Sequence, residues 1–553
     1  MNSFSTPYTD KPWIRHYDHH VPEHLEYPYV NLIDLLENAI NKKPDKRFLS
    51  FSGRDYTYQE IGDYVNNLSA SLMMEGLEKG QRVALILPNI PQFVIAYYAI
   101  LKAGGVVVAM NPNYKITEFE FLFNDSEPVM AICLERHFPI LKEIGFSAQN
   151  TILVKPGFFT GGDGDKTQGN QTKCLDFVQL CSRSYRKKVI KFPEISLKDP
   201  AIFQYSGGTT GIPKAAIGTH RNIVANITQF NSWCRLMDGQ ETILAVIPLY
   251  HVYGMVLTMN LALTARSEVV LIDDPGDIDR ILSEIEFHKV TFYPGVPAMY
   301  YAINQHPRVR AGDFDISSIK ACISGSTPLH PNIKTEFEQL TDGKLVEGYG
   351  LSEAPTATHC NPVFGINKPG SIGLPLPDVE CKVVDLESGG YDVPIGEPGE
   401  LVIRGPQVMA GYHNQPNEEI RALRDGWLYT GDVVRMDDEG YFFIVDRKKS
   451  LIKVSGFQVW PNEVENIIST HPGVAACAVG GVPDLRQGEK VIAWVVGKPG
   501  SKLNPEWIKE WCKERLVNYK VPSEVYFVIA LPRSGVGKVL RRELIRQYLE
   551  GLN

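Results

Sequence analysis

The chain has 553 residues, 44% hydrophobic and 22% charged, and carries a formal net charge of -8. That length exceeds what one hydrophobic core organises, so two or more globular domains are expected. With 56 Lys and Arg against 64 Asp and Glu and no basic block, it offers no surface suited to releasing counterions from a nucleic-acid backbone, and nucleic acid is not an expected partner.

In chain order, Thr57-Tyr-Gln-Glu60 is a capping box that opens a helix bearing Ile61, Val65, Leu68 and Leu72. A strand over Val83 to Leu87, a helix over Gln92 to Ala103 and a strand over Val106 to Met110 follow. Phe93 to Met110 is apolar, but Lys102 and Gly104-Gly105 interrupt it. Val252 to Ala265 is apolar too, yet shorter than the ~20 residues a membrane span needs. Both are predicted to be buried elements of an α/β domain whose largely parallel sheet is covered on both faces. Residues 156–173, rich in Gly, Asp and Gln, read as a mobile surface loop.

Val433 to Met436 and Tyr441 to Ile444 flank Asp438-Glu439-Gly440 as a hairpin. Beyond Asp446 the composition changes. A helix is expected from Asn462, with Asn462 and Glu465 as its capping box and Pro472-Gly473 as its stop. Strands at Val474 to Val479 and Val491 to Val496, a helix from Asn504-Pro505, a strand at Val525 to Ile529 and a last helix complete an α+β module of roughly 100 residues. The polar run Arg447-Lys448-Lys449-Ser450 marks the boundary, so the expected domains are 1–446 and 447–553.

Nine cysteines without CxxC pairs suit reduced thiols. The N-terminal MNSFSTPYTDKPW lacks the apolar core of a signal peptide. Both predict a cytoplasmic setting. His16, His19, His20 and His24 have loose metal-like spacing, but no cysteine or motif supports zinc.

The strongest chemical signal is Tyr205-Ser-Gly-Gly-Thr-Thr-Gly-Ile-Pro-Lys214, directly after the strand-like Ala201 to Gln204. Gly207, Gly208 and Gly211 let the backbone approach an anion, Ser206, Thr209 and Thr210 offer hydroxyls, and Lys214 offers charge. This composition suits a polyphosphate. Pro213 precedes the lysine and disfavours helical angles at Ile212, so the segment is not a Walker loop. Ser324 to Leu329, Glu347-Gly-Tyr-Gly-Leu-Ser-Glu353, Tyr429 to Asp432 and Pro532 to Lys538 are each compatible with an ordinary solvated loop. Their joint occurrence, in this order after the phosphate loop, is the informative feature.

This set resembles the adenylate-forming superfamily of acyl-CoA synthetases, firefly luciferases and peptide-synthetase adenylation domains, from about Pro12 to Leu549. Gln204-Tyr-Ser-Gly-Gly-Thr-Thr-Gly, Pro248-Leu-Tyr-His-Val-Tyr-Gly254, Val346-Glu-Gly-Tyr-Gly and Asp446 to Gly456 are most similar to long-chain fatty acyl-CoA ligases. Ala215 replaces the usual glycine after the motif lysine, and Ser450 stands where those ligases commonly have Asp. The resemblance implies a large multi-sheet N-terminal domain, a small C-terminal domain and a hinge between them. It implies ATP, Mg2+ and coenzyme A, with a fatty acid as the substrate, and it leaves room for peripheral membrane contact and a homodimer.

Residue by residue, it implies that adenine stacks on Tyr349 near Ser326, Glu347, Gly348, Gly350 and Ser352. Asp432 and Arg447 would contact the ribose, and Glu353 and Ser206 would hold magnesium, a hard cation that takes oxygen ligands. Lys538 is expected over the reacting phosphate, where a lysine about 4 Å away contributes roughly 4 kcal/mol at an effective dielectric of 20. The hinge maps to Lys449, and the face with Lys453, Gly456 and Phe457 is expected to serve the thiol step. A solvated strand edge is the alternative for Lys448, Lys449 and Lys453. His251 is read either as ordering the carboxylate or gating the thiol path, or as a buried structural histidine. An aryl-acid ligase, a luciferase-like oxygenase, an acyl-AMP ligase using a carrier protein and an inert nucleotide binder are the alternatives.

Overall fold

The computed structural model describes residues 8–155, 173–183, 190–206, 213–455, 457–533 and 538–551. The expected loop at 156–173 lies outside them except for Lys173. Contacts divide the chain into a larger unit, residues 13–380 and 404–428, and a smaller one, residues 1–12, 381–403 and 429–553.

In the larger unit, Thr57 and Glu60 form the expected capping box on α1 (Tyr58–Met74), whose Ile61, Val65, Leu68 and Leu72 are buried. Every residue of α2 (Pro91–Lys102) except Lys102 is buried, which explains its apolar circumference: a helix with no polar face needs cover on all sides. The 252–265 stretch is buried except Thr264, which is half-buried, and Met255–Asn260 winds as a π-helix. Among the described residues no helix is long and apolar enough to cross a membrane.

Two sheets organise this unit. One runs Leu175–Asp176, Thr151–Val154, Met130–Leu134, Arg82–Ile86, Val106–Ala109, β1 (Pro200–Ser206) and β2 (Lys214–Thr219). All neighbours are parallel except the β1/β2 pair. Short buried strands with little alternation are what a sheet covered on both faces requires. The other sheet has nine strands, parallel through its centre and antiparallel at its ends. It includes β3 (Lys344–Tyr349), whose parallel neighbour is Ala321–Ser324. In both sheets a candidate motif leaves the carboxyl end of a strand, where open α/β sheets place their ligands: Ser206 on β1 and Tyr349 on β3.

In the smaller unit, β4 (Trp427–Met436) and β5 (Phe442–Arg447) form the expected hairpin. Asp437 stabilises the turn by accepting from the amides of Glu439 and Tyr441 at 3.1 and 2.9 Å. The C-terminal module pairs Val474–Asp484 antiparallel with Gly488–Gly497, which pairs parallel with Glu524–Phe527. Helix α3 (Pro461–Ser469) packs on Val474–Asp484.

The expected capping box at Asn462 and Glu465 is not formed. The helix starts one residue earlier, because Pro461 occupies its first turn with φ already fixed. Asn462 therefore lies inside the helix. Its amide donates to Asp446 Oδ2 at 2.8 Å and its side chain to the Val445 carbonyl at 3.1 Å. A carboxylate from β5 thus caps α3, and Glu465 is left to pair with Arg541 at 2.7 Å.

Candidate active site

In the larger unit, Ser206 ends β1 and its hydroxyl donates to Glu353 Oε1 at 3.1 Å. The motif residues Gly207, Gly208, Thr209, Thr210 and Gly211 lie outside the described residues. Lys214, the first residue of β2, is 7% exposed, and its ammonium is paired with Glu418. That hydrogen bond and charge hold the Glu418 carboxyl below its ordinary range. Tyr205 anchors the strand end by donating to Asp125 Oδ2 at 2.5 Å.

Tyr412 and Glu418 join this group, and sequence reasoning missed both. Residues 410–413 run beside β2: Ala410 donates to the Ile217 carbonyl, Ile217 to the Gly411 carbonyl, and His413 to the Ala215 carbonyl, each at 2.9 Å. This places the Tyr412 hydroxyl 2.8 Å from Glu353 Oε1 and its ring 5.7 Å from the Lys214 ammonium. Burial and then the Glu353 charge push the Tyr412 hydroxyl above its ordinary pKa. The two residues lie roughly 200 positions from the motif they adjoin, in a segment without regular strand alternation. The only signal was a Gly411-Tyr412 pair in a polar loop.

The end of β3 carries Glu347, Gly348 and Tyr349. Glu347 is buried, which raises its carboxyl pKa to about 8 against a weak hydrogen bond from the Leu329 amide. Tyr349 is half-buried and meets His359 edge-on, with ring centroids 5.9 Å apart. Gly350 is required by close approach, since a Cβ there would lie 1.7 Å from the Thr356 carbonyl oxygen. Ser352 is half-buried, and Ser326 is exposed with φ +71, a strained angle for a non-glycine residue of the kind that gathers at functional sites.

His251 Nδ1 accepts from the Tyr253 amide at 3.2 Å and so caps the turn that follows. Gly254 packs so closely that a Cβ would lie 2.4 Å from the Pro248 carbonyl oxygen. His24 pairs with Asp378 at 2.8 Å. Among the described residues no group of three or more His, Cys, Asp or Glu is placed to hold a metal ion.

The smaller unit, by itself, holds a second set of the predicted residues. Asp432 and Arg447 face each other across β4 and β5, with Arg447 Nε 2.6 Å from Asp432 Oδ1. Asp432 is 3% exposed. Lys448 pairs with Glu400 at 2.6 Å, and Lys449 lies in the short 3-10 turn between β5 and Ile452–Val454. Lys453 is exposed, and its amide donates to Glu489 Oε2 at 2.7 Å. Phe457 is 55% exposed and stacks on Tyr519 with centroids 4.6 Å apart. Gly456 lies outside the described residues. Lys538 is exposed, beside the bridge that joins Arg533 and Val539.

Residues 36–413 match the family described as AMP-binding enzyme, and residues 463–538 match its C-terminal domain. The chain belongs to the AMP-binding enzyme family. It is 39% identical over 98% of its length to a long-chain-fatty-acid--CoA ligase of Bacillus subtilis, covering 99% of that protein. It is 35% identical over 97% of its length to the enzyme of the same name from Escherichia coli O6:H1, covering 98% of it. Among solved structures, ATP-bound MatB from Rhodopseudomonas palustris is similar with a TM-score of 0.83 and 28% identity, over 95% of this chain and 100% of that one. In this AMP-binding enzyme Ser206 and Glu353 bring a hydroxyl and a carboxylate together, with Lys214 beside Ser206 across the strand pair, groups of the kind that a nucleotide polyphosphate and a hard cation take. All the donors that would face the cation are oxygens, consistent with magnesium.

Proposed function

We propose that this AMP-binding enzyme is an ATP-dependent fatty acyl-CoA synthetase acting on medium to long chains. The acid's carboxylate oxygen attacks the α-phosphorus of ATP, the bond from that phosphorus to pyrophosphate breaks, and an acyl adenylate forms. The thiolate of coenzyme A then adds to the acyl carbonyl, and AMP leaves with the bonding pair. The observation that carries this reading is the convergence of Ser206, Glu353 and Lys214 at the carboxyl end of β1, in a chain aligned end to end with ligases named for long-chain fatty acids.

In this proposal Ser206 and Glu353 take magnesium, which when bound neutralises phosphate charge. The loop 207–211 and Lys214 receive the phosphates. Tyr349, Ser326, Gly348, Gly350 and Ser352 line the adenine, and buried Glu347 shapes that wall as a neutral acid at pH 7. Asp432 accepts from the ribose hydroxyls and Arg447 steadies it. Residues 1–446 and 447–553 act as two bodies hinged at Lys449. Lys538 serves adenylation, and Lys453, Gly456 and Phe457 serve the thiol step. His251 holds the turn beside the acid. The enzyme works in the cytoplasm, where its substrate draws it to the membrane periphery.

An acid panel assayed by AMP release, with and without coenzyme A, tests the reaction. Each buried methylene contributes about 0.8 kcal/mol, so medium- and long-chain saturated acids should outpace acetate and coumarate. Equal turnover of acetate would overturn the chain-length assignment, and coumarate preference would favour an aryl-acid ligase. Asp432→Ala should weaken ATP binding by about 1.5 to 3 kcal/mol, the range for hydrogen bonds to a charged group. Calorimetry showing unchanged affinity in a folded variant would remove Asp432 from the site.

A further inference from the structure

The Glu353 carboxylate is held asymmetrically. Ser206 Oγ, at 3.1 Å, and Tyr412 Oη, at 2.8 Å, both donate to Oε1. Among the described residues no hydrogen bond reaches Oε2. A carboxylate with one oxygen saturated by two donors keeps the lone pairs of its other oxygen for a cation. A serine hydroxyl that spends its proton on the carboxylate likewise keeps its own lone pairs available. Such orientation of a ligand by an outer partner is what tunes metal sites generally.

Tyr412 is itself firmly placed. Its backbone bridges Ala216 in antiparallel fashion, and its amide donates to Glu419 Oε2 at 3.0 Å. The peptide carrying Glu353 is tied to the same segment, since the Met409 amide donates to the Glu353 carbonyl at 2.8 Å. Segment 406–408 is tied in turn to Asn222, whose side-chain amide donates to the carbonyls of Pro406 and Val408 at 3.0 and 2.8 Å. The donor and the carboxylate are therefore fixed to one another through backbone, so the shorter Tyr412 hydrogen bond acts with that of Ser206 in selecting the carboxylate's orientation.

We infer that Tyr412 is a positioning residue for the cation site: its hydroxyl occupies Glu353 Oε1 and reserves Oε2 for the metal that accompanies ATP. The inference rests on the reading that Glu353 takes that metal. Tyr412→Phe removes one oxygen and keeps the ring and the backbone bonds that tie residues 409–413 to β2 and Glu353, so the fold is retained and a thermal melt verifies it.

The experiment compares ATP affinity by calorimetry with and without Mn2+, for the intact chain, Tyr412→Phe and Glu353→Gln. The ratio of the two affinities reports how strongly the protein couples metal to nucleotide. Tyr412→Phe should lower that ratio about 10- to 100-fold, the scale for losing an outer partner of a metal ligand, and leave metal-free ATP affinity within about twofold. Glu353→Gln should lower the ratio at least as far. If Glu353→Gln lowers it and Tyr412→Phe does not, the positioning role of Tyr412 is wrong and the cation assignment stands. If neither variant changes it, the assignment of Glu353 falls and the inference falls with it. If Tyr412→Phe weakens metal-free and metal-bound ATP equally, Tyr412 only supports the fold, and the inference is overturned.

Discussion

Lys538→Ala should slow adenylation by roughly 10²- to 10³-fold, the scale for removing one preorganised group that stabilises transition-state charge. Pyrophosphate departs with growing negative charge, and a lysine close to it offsets that charge most when the barrier is crossed. Thiol attack on a preformed adenylate releases no pyrophosphate and has no such need. The structure makes the variant informative, because Lys538 is exposed and its removal opens no cavity. Pyrophosphate exchange should therefore collapse, while acyl-CoA formation from synthetic acyl adenylate continues near its normal rate. Proportional loss of both steps would rule out a role confined to adenylation.

Lys449→Pro should have the opposite asymmetry. The residue lies in the 3-10 turn Lys448–Ser450, and the side chains before it are engaged: Arg447 with Asp432 and Lys448 with Glu400. Proline fixes φ near -65° and also disfavours helical angles at the preceding residue, so both Lys448 and position 449 lose freedom. A hinge that must adopt two sets of backbone angles is then restricted to one. Acyl-CoA formation from supplied adenylate should fall by at least the roughly 10²-fold scale of a lost catalytic arrangement, with pyrophosphate exchange affected less. Equal loss of the two half-reactions would mean that a static site serves both.

Much of the fold was legible because it is set locally. The Thr57 and Glu60 box and the buried face of α1 follow from contacts within about four residues, where side-chain chemistry and helical period act together. The strand ending at Ser206 was legible for a similar reason: an apolar run stops where glycine and hydroxyl residues begin. The start of α3 was misread because two helix signals compete there. Asn462 with Glu465 makes a plausible box, but Pro461 initiates the helix and the cap is Asp446, sixteen positions earlier in the chain.

By itself, the sequence determined the α/β architecture and membership of the AMP-binding enzyme family, and it marked residues 205–214 as the candidate phosphate loop, since each depends on residue type and short spacing. Only the tertiary structure decided which side chains meet the predicted residues within each unit. Tyr412 reaches Glu353, and Glu418 reaches Lys214, because residues 410–413 lie along β2. The same holds for the Asp432 and Arg447 pair, which the hairpin register brings face to face. Contacts of this kind depend on strand alignment across tens to hundreds of residues, and periodicity along the chain carries no record of that alignment.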